Sequence, residues 1–392
     1  MTCPLFRRNV APALAGLVLL VSQTAASADD GTRDPFLQPF ASTSPWNTPI
    51  GSGAQYEAIP GIESYPAGIN FNERWTTGIY RATSSDRQAT LYIYKGNLWA
   101  LLAHAKKLTD PATNIAYVIN TTGNDPAAEK LLRDGSQATN LTPANFYSTT
   151  VRSPTGQRTW PTGLRDLQTG WTNSIFLPAG AVPSADSDAH IAVFQPTGLV
   201  LECYDAIVCG NGDIICAIAG FSDPTGDGAG DENGRCASLT PNYAGKIRAR
   251  ELDLGQIPHA LCALAPAKLL KPDCVWPACA FDMNDGYSGP LPMGSLLAIP
   301  PSVDITALGL SPKGLAIARA AQDYGVYLTD RGGDGVTIQA ELGTKNLPGL
   351  DADIAVIVHH LQRVTNNGPA AIGGGGTPRA ALAPPLASQP SN

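Results

Sequence analysis

The stretch 186–205, "DSDAHIAVFQPTGLVLECYD", decides the fold class of this 392-residue chain and holds its strongest chemical lead. Two apolar runs flank Pro196-Thr197-Gly198. Proline suits the second position of a type I turn, and glycine supplies the left-handed residue that closes a three-residue hairpin loop with a bulge. Gln195 then pairs with Leu199, Ala192 falls opposite Glu202 and His190 opposite Tyr204. Side chains alternate along a strand, so Asp188, His190, Glu202 and Tyr204 share one face. Ile191, Val193, Leu201 and Cys203 share the other, which belongs in a core. The polar face gathers two carboxyls, an imidazole and a phenol, groups able to hold and exchange protons near neutral pH. A solvated outer surface is the plain reading of that face, and the floor of a cleft is the functional one. A one-residue slip would replace Glu202 and Tyr204 by Asp205, so the corner carries the reading.

The same pattern recurs outward from this hairpin. Forty Gly and 33 Pro punctuate short runs rich in β-branched and aromatic residues, among them "ATLYIYKG", "NSIFLPAG", "GSLLAIPP", "YGVYLTDRGG" and "GVTIQAEL". Many short strands separated by turn residues predict a mainly β chain, a sandwich or jelly-roll-like single domain. No repeat of fixed period appears, which removes propellers and solenoids. A few peripheral helices are predicted. "DPAAEKLLRDG" has an Asp cap and a Gly stop, and "SPKGLAIARAAQDYG" opens with Ser311 as cap and Pro312 at the first helical position. "DADIAVIVHHLQRV" sets Ile354, Ile357, Val358, Leu361 and Val364 on one stripe.

Residues 1–28 read as a signal peptide: Arg7-Arg8, an apolar run from Val10 to Val21, then Ala26-Ser27-Ala28. The mature chain is expected to be secreted or periplasmic and to leave the membrane once processed. A β-rich catalytic domain over 29–365 and a flexible tail over 366–392, without apolar period, complete the expected organisation. The net charge of −7 and the absence of basic runs argue against nucleic acid as a partner. Seven cysteines lie between Cys203 and Cys279, with no Cys-x-x-Cys. In an oxidising compartment they predict an insertion near 203–279 stapled by disulfides, with one thiol left over.

Other positions are weighed against plainer roles. His259 in "GQIPHAL" is either a second proton-transfer group or a satisfied core histidine, and His359-His360 read as a solvated helix face. Trp46, Trp75, Trp160 and Trp171 could stack on sugars, although burial is the commoner fate of a tryptophan. Asp330 and Arg331 end a strand before a glycine turn, where site rims often lie. Asp223, Asp227 and Asp231 are spaced for a turn-rich loop rather than an EF-hand. No serine elbow, Walker loop, zincin motif or dinucleotide fingerprint is present, so neither metal nor cofactor is expected.

"PFASTSPWNTPIGSGAQY", "DAHIAVFQPTG…LECYD", "GQIPHAL", "LPMGSLLAIPPSVD" and "IARAAQDYGVYLTDRGGDGVTIQAE", in that order, resemble a largely uncharacterised family of exported microbial proteins. The resemblance runs from about Pro39 to Glu341, implies one continuous domain and carries no reaction. From the residues themselves, a secreted enzyme cleaving a polysaccharide is expected. Hydrolysis would use Asp188 and Glu202 as the carboxylate pair. β-Elimination would use His190, Tyr204 and His259 as proton donors and acceptors. A non-catalytic carbohydrate-binding or envelope protein is the alternative, and amide-bond hydrolysis has no nucleophile or metal motif behind it.

Overall fold

The computed structural model describes residues 31–387 apart from 71–75, 95–137, 141–149, 154–155, 160–173, 185–188, 209–211, 213, 232–233, 283–285 and 346–347. The signal-like segment, the helix expected at "DPAAEKLLRDG", and Asp188, Trp75, Trp160 and Trp171 lie outside the described residues. The chain is mainly β, as its turn-punctuated runs predict, and two seven-stranded sheets form its body.

The first sheet runs Tyr56–Ala58, Gln362–Val364, Leu296–Ala298, Val326–Arg331, Leu261–Ala265, Val336–Gln339, Ala67–Asn70. Helices α2 (Pro312–Asp323) and α3 (Leu350–His359) cover one face of it, following a short α1 (Ala249–Leu254). Alternation divides its residues between two cores: Leu261, Ala263, Val326 and Leu328 face the helices. Cys262, Tyr327, Leu296 and Ala298 face the second sheet. Ser311 caps α2 by accepting from Gly314 N at 3.1 Å, with Pro312 at the first helical position as the sequence predicts. On α3, Ile354, Ile357 and Val358 are buried, while His359 is exposed and His360 Nδ1 sits 2.8 Å from the Val356 carbonyl.

The second sheet runs Gly78–Arg81, Ile191–Phe194, Val200–Val208, Ile214–Ser222, Arg87–Tyr94, Ala138–Asn140, with Ser174–Leu177 also paired to Arg87–Tyr94. Its hairpin has the predicted register: Glu202 pairs with Ala192 and Cys203 with Ile191. Gly198 adopts φ +89°, and Gln195 N donates to Leu199 O at 2.8 Å across the corner. Ile191, Val193, Leu201 and Cys203 enter a core on the outer side of this sheet, as expected. The opposite face is covered as well. Ala192, Phe194 and Val200 meet Tyr243, Trp46 and Tyr327 in the layer between the sheets, so the hairpin is buried on both sides.

Two further expectations change. One disulfide, Cys203–Cys216, forms among the described residues, where three were expected. These two cysteines sit on adjacent antiparallel strands with Cα atoms 5.7 Å apart, within bridging range. Cys236, Cys262 and Cys274 remain thiols on separate segments. The C-terminal segment expected to be flexible is instead tied to the N-terminal one by backbone hydrogen bonds. Gly53 N donates to Gly375 O, Ser52 N to Thr377 O, Arg379 N to Ile50 O and Ala387 N to Arg33 O, at 2.8–2.9 Å. A Cβ on Gly51 would lie 1.9 Å from Gly375 O, so the close approach requires glycine there.

Trp46 closes the inter-sheet layer. It is 1% exposed, packs edge-on against Tyr327 at 5.2 Å, and its indole N–H donates to Gly228 O at 2.7 Å. Neither ring face is open to a sugar, which corrects the stacking role considered above. Trp46→Ala is expected to cost about 3–5 kcal/mol in denaturant unfolding, as deletion of a buried aromatic does. Trp46→Phe keeps most of the packing and is expected to lose about 1 kcal/mol with the hydrogen bond.

Candidate active site

The hairpin register brings His190 and Tyr204 together. Their rings meet edge-to-face with centroids 5.5 Å apart, and both residues are half-buried. They occupy the end of the hairpin away from the Pro196-Thr197-Gly198 corner, beyond the Ala192–Glu202 pair. The backbone of His190 is held on both sides by Ser184: His190 N donates to Ser184 Oγ at 2.9 Å, and Ser184 N donates to His190 O at 3.0 Å. This reciprocal clasp fixes where the imidazole leaves the chain.

Glu202 shares that strand face but not that environment. It is fully buried in the inter-sheet layer, where Ser222 Oγ donates to Oε1 at 2.5 Å and Asn242 N donates to Oε2 at 2.7 Å. Ser222 Oγ is also 3.1 Å from Tyr243 OH, which extends the buried network. Burial pushes the Glu202 carboxyl up to about 8, against the lowering influence of Ser222, Asn242 N–H and Arg235. A carboxyl enclosed in this way holds its proton at neutral pH and has no path to a substrate. The expected cleft-floor role of Glu202 is therefore corrected: the second sheet face is roofed by the first sheet.

His259 takes the core-histidine reading. It is 6% exposed, with Nδ1 2.9 Å from Ala260 O and Nε2 3.0 Å from Glu251 Oε1. Burial alone lowers its pKa, but the Glu251 carboxylate, its hydrogen bond and the Ala260 carbonyl together raise it above the usual value. His259 and His190 have no hydrogen-bonding partner in common among those just named. Glu251 also caps α1, accepting from Arg248 N at 2.8 Å, while Glu341 accepts from Ala249 N at 2.8 Å and from Arg248 Nε at 2.5 Å. Two carboxylates at a helix N-terminus satisfy its free amides and its dipole. "RARELDLG", with a stop at Gly255 in the left-handed conformation, is the sequence signal for this helix.

The remaining candidates are turn-forming groups. Asp330 Oδ2 accepts from Ala237 N at 3.0 Å and Oδ1 from Arg331 N at 2.8 Å, so this carboxylate holds two backbone amides at the strand end. Arg331 is half-buried beside it. Asp223 and Asp227 accept from Thr225 N and Ala229 N at 2.7 and 2.9 Å, the geometry of Asx turns. No group of three or more potential metal ligands occurs among the described residues. No family model, curated protein or solved structure matches the chain.

Two pH signatures follow. Glu202 binds its proton more tightly folded than unfolded, so its contribution to stability is complete below about 4.5 and fades as pH rises through about 8. Glu202→Gln is expected to flatten that decline in thermal scans between these limits, whereas Glu202→Ala, leaving Asn242 N unpaired, lowers stability by about 1–3 kcal/mol at acid pH, a difference from wild type that shrinks as pH rises. His259, raised by its partner, adds stability that is full below about 6.5 and lost as pH climbs through its folded value. Glu251→Gln keeps the cap and is expected to remove most of that component.

Proposed function

We propose that this chain is an exported carbohydrate-active enzyme that cleaves a uronate-containing polysaccharide by β-elimination, with His190 and Tyr204 exchanging the protons. The observation that carries the reading is the ring contact between these two residues at the half-open end of a hairpin whose register is set by its own turn. One of the pair removes the proton α to the uronate carboxyl. The other gives a proton to the departing glycosidic oxygen, leaving a carbon–carbon double bond in the new terminal sugar. The hydrolytic version loses support because Glu202 is enclosed and engaged at both oxygens, which leaves no carboxylate pair about a scissile bond. His259 is a structural group in this scheme, since Glu251 and Ala260 occupy both of its nitrogens.

Export is part of the proposal. It is supported by the charged, apolar and small-residue sequence of the first 28 positions and by the Cys203–Cys216 bridge, which belongs in an oxidising compartment. The second reading is a non-catalytic carbohydrate-binding or envelope protein. It is favoured by His259, a proton-transfer candidate whose two nitrogens are engaged within the core.

Incubation with a panel of acidic and neutral polysaccharides separates the readings. Growth of the ultraviolet absorbance of an unsaturated uronate, with acidic glycans only, is the expected result. His190→Ala and Tyr204→Phe are each expected to lower kcat/KM by roughly 10²–10⁴, the usual worth of a positioned acid or base. Reducing ends without that absorbance would mean hydrolysis. No product from any glycan, with retention on a polysaccharide column unchanged in His190→Ala, would leave the binding reading.

A further inference from the structure

The hairpin ladder changes step where His190 and Tyr204 meet. From Gln195 and Leu199 to Ile191 and Cys203 the two strands keep one register. Continued, that register sets Ala189 opposite Asp205. Instead Ala189 O accepts from Ala206 N at 3.0 Å, so two residues, Tyr204 and Asp205, stand against His190 alone. That is a β-bulge, which bends a strand and strengthens its twist. Burial follows the same break. Leu201 and Cys203 enter the outer core, and strict alternation would send positions 205 and 207 after them, yet Ala206 and Val208 join that core. The neighbouring strand switches in the same way, from Phe221 and Ala219 to Cys216 and Ile214.

Two further features converge there. Ala189, fully buried, has φ +42°, a left-handed backbone that a residue with a Cβ rarely adopts. Such outliers cluster at functional sites, where the surrounding structure holds them in place. Ala189 is held through Ala206 N on one side and through the clasp of Ser184 on His190 on the other. The Cys203–Cys216 bridge spans the switch diagonally. Cys203 is paired with Ala219 and Cys216 with Ala206, so the bond ties the ladder before Tyr204 to the ladder beyond it.

We propose that this bulge is a positioning device for the His190–Tyr204 pair, with Ala189, Cys203 and Cys216 as its positioning residues. In a regular ladder Tyr204 would follow Glu202 into the layer beneath the first sheet, where Glu202 is sealed. The extra residue turns the end of the hairpin out of that layer and leaves both rings half-buried and in contact. The left-handed Ala189 sets the direction in which His190 leaves its strand. The bridge keeps the two strands from sliding back into regular step. The importance of this geometry for turnover rests on the elimination reading; its control of the ring contact does not.

Nuclear Overhauser spectra of the full chain, with histidine and tyrosine selectively labelled and His190→Ala used for assignment, report the ring contact directly. The His190–Tyr204 cross-peak is expected in the wild type and is expected to vanish in Cys203→Ala/Cys216→Ala. On an acidic glycan that variant is expected to lose roughly 10–100-fold in kcat with KM little changed, as misplaced reacting groups do. Ile354→Val, a buried deletion on α3, costs stability away from the hairpin and is expected to keep both the cross-peak and kcat. The proposal is overturned if the cross-peak is absent from the wild type or survives in the double variant. Should the double variant not fold, position 189 decides. Ala189→Gly adopts the left-handed backbone freely and is expected to keep the contact, whereas Ala189→Val resists it and is expected to lose the contact. A cross-peak unchanged in Ala189→Val overturns the proposal. A chain that cleaves no glycan yet loses the cross-peak with its bridge supports the positioning role and removes the elimination reading, so the two failures are separate results.

Discussion

A single carboxyl group enclosed between the sheets organises this molecule. Glu202 leaves the hairpin strand toward the first sheet and accepts from Ser222 on the neighbouring strand and from the backbone of Asn242. Asn242 begins the strap that joins the sheets: Gly245 O accepts from Cys262 N, and Gln339 O accepts from Ile247 N. One side chain of the second sheet therefore holds the segment that hydrogen-bonds to two strands of the first. The cost of burying the carboxyl is limited by keeping it protonated, and its acceptors satisfy donors that would otherwise be stranded in an apolar layer.

The same strap sorts charge by alternation. Ile247 enters the core beneath the helices, while Lys246 Nζ donates to Gln339 Oε1 at 3.1 Å and Arg248 Nε donates to Glu341. Arg248 is then fastened from several sides: Glu341 pairs with its Nε, Phe36 O accepts from its Nη1 at 2.8 Å, and its guanidinium lies 4.7 Å from the Phe36 ring centroid. Arg81 lies over the same ring at 4.3 Å and pairs with Asp34.

The N-terminal motif "SPWNTPIG" has an internal role. Asn47 Nδ2 lies within hydrogen-bonding distance of the carbonyls of Pro39, Phe40 and Ala41, at 2.7–3.3 Å, and Trp46 fills the inter-sheet layer. The C-terminal run Gly373–Gly376, with all four residues at positive φ, packs against the backbone of residues 49–54. The contacts of Gly373–Gly376 join positions more than 300 residues apart. Neither periodicity nor turn chemistry reports on such pairs, so a tail without pattern gave no sign of its docking partner.

What the sequence alone determined was local. The Pro-Thr-Gly corner set the hairpin register, Ser311 and Pro312 started α2, and the stripe of Ile354, Ile357 and Val358 seated α3, because turn geometry, caps and side-chain periodicity act within a few residues. The ring contact of His190 with Tyr204 was legible for the same reason. Only the tertiary structure decided which faces meet water. Alternation assigned Glu202 and Tyr204 to one side of a strand. The first sheet then covered one of them and left the other half-open, and a strand pattern cannot carry the position of a second sheet.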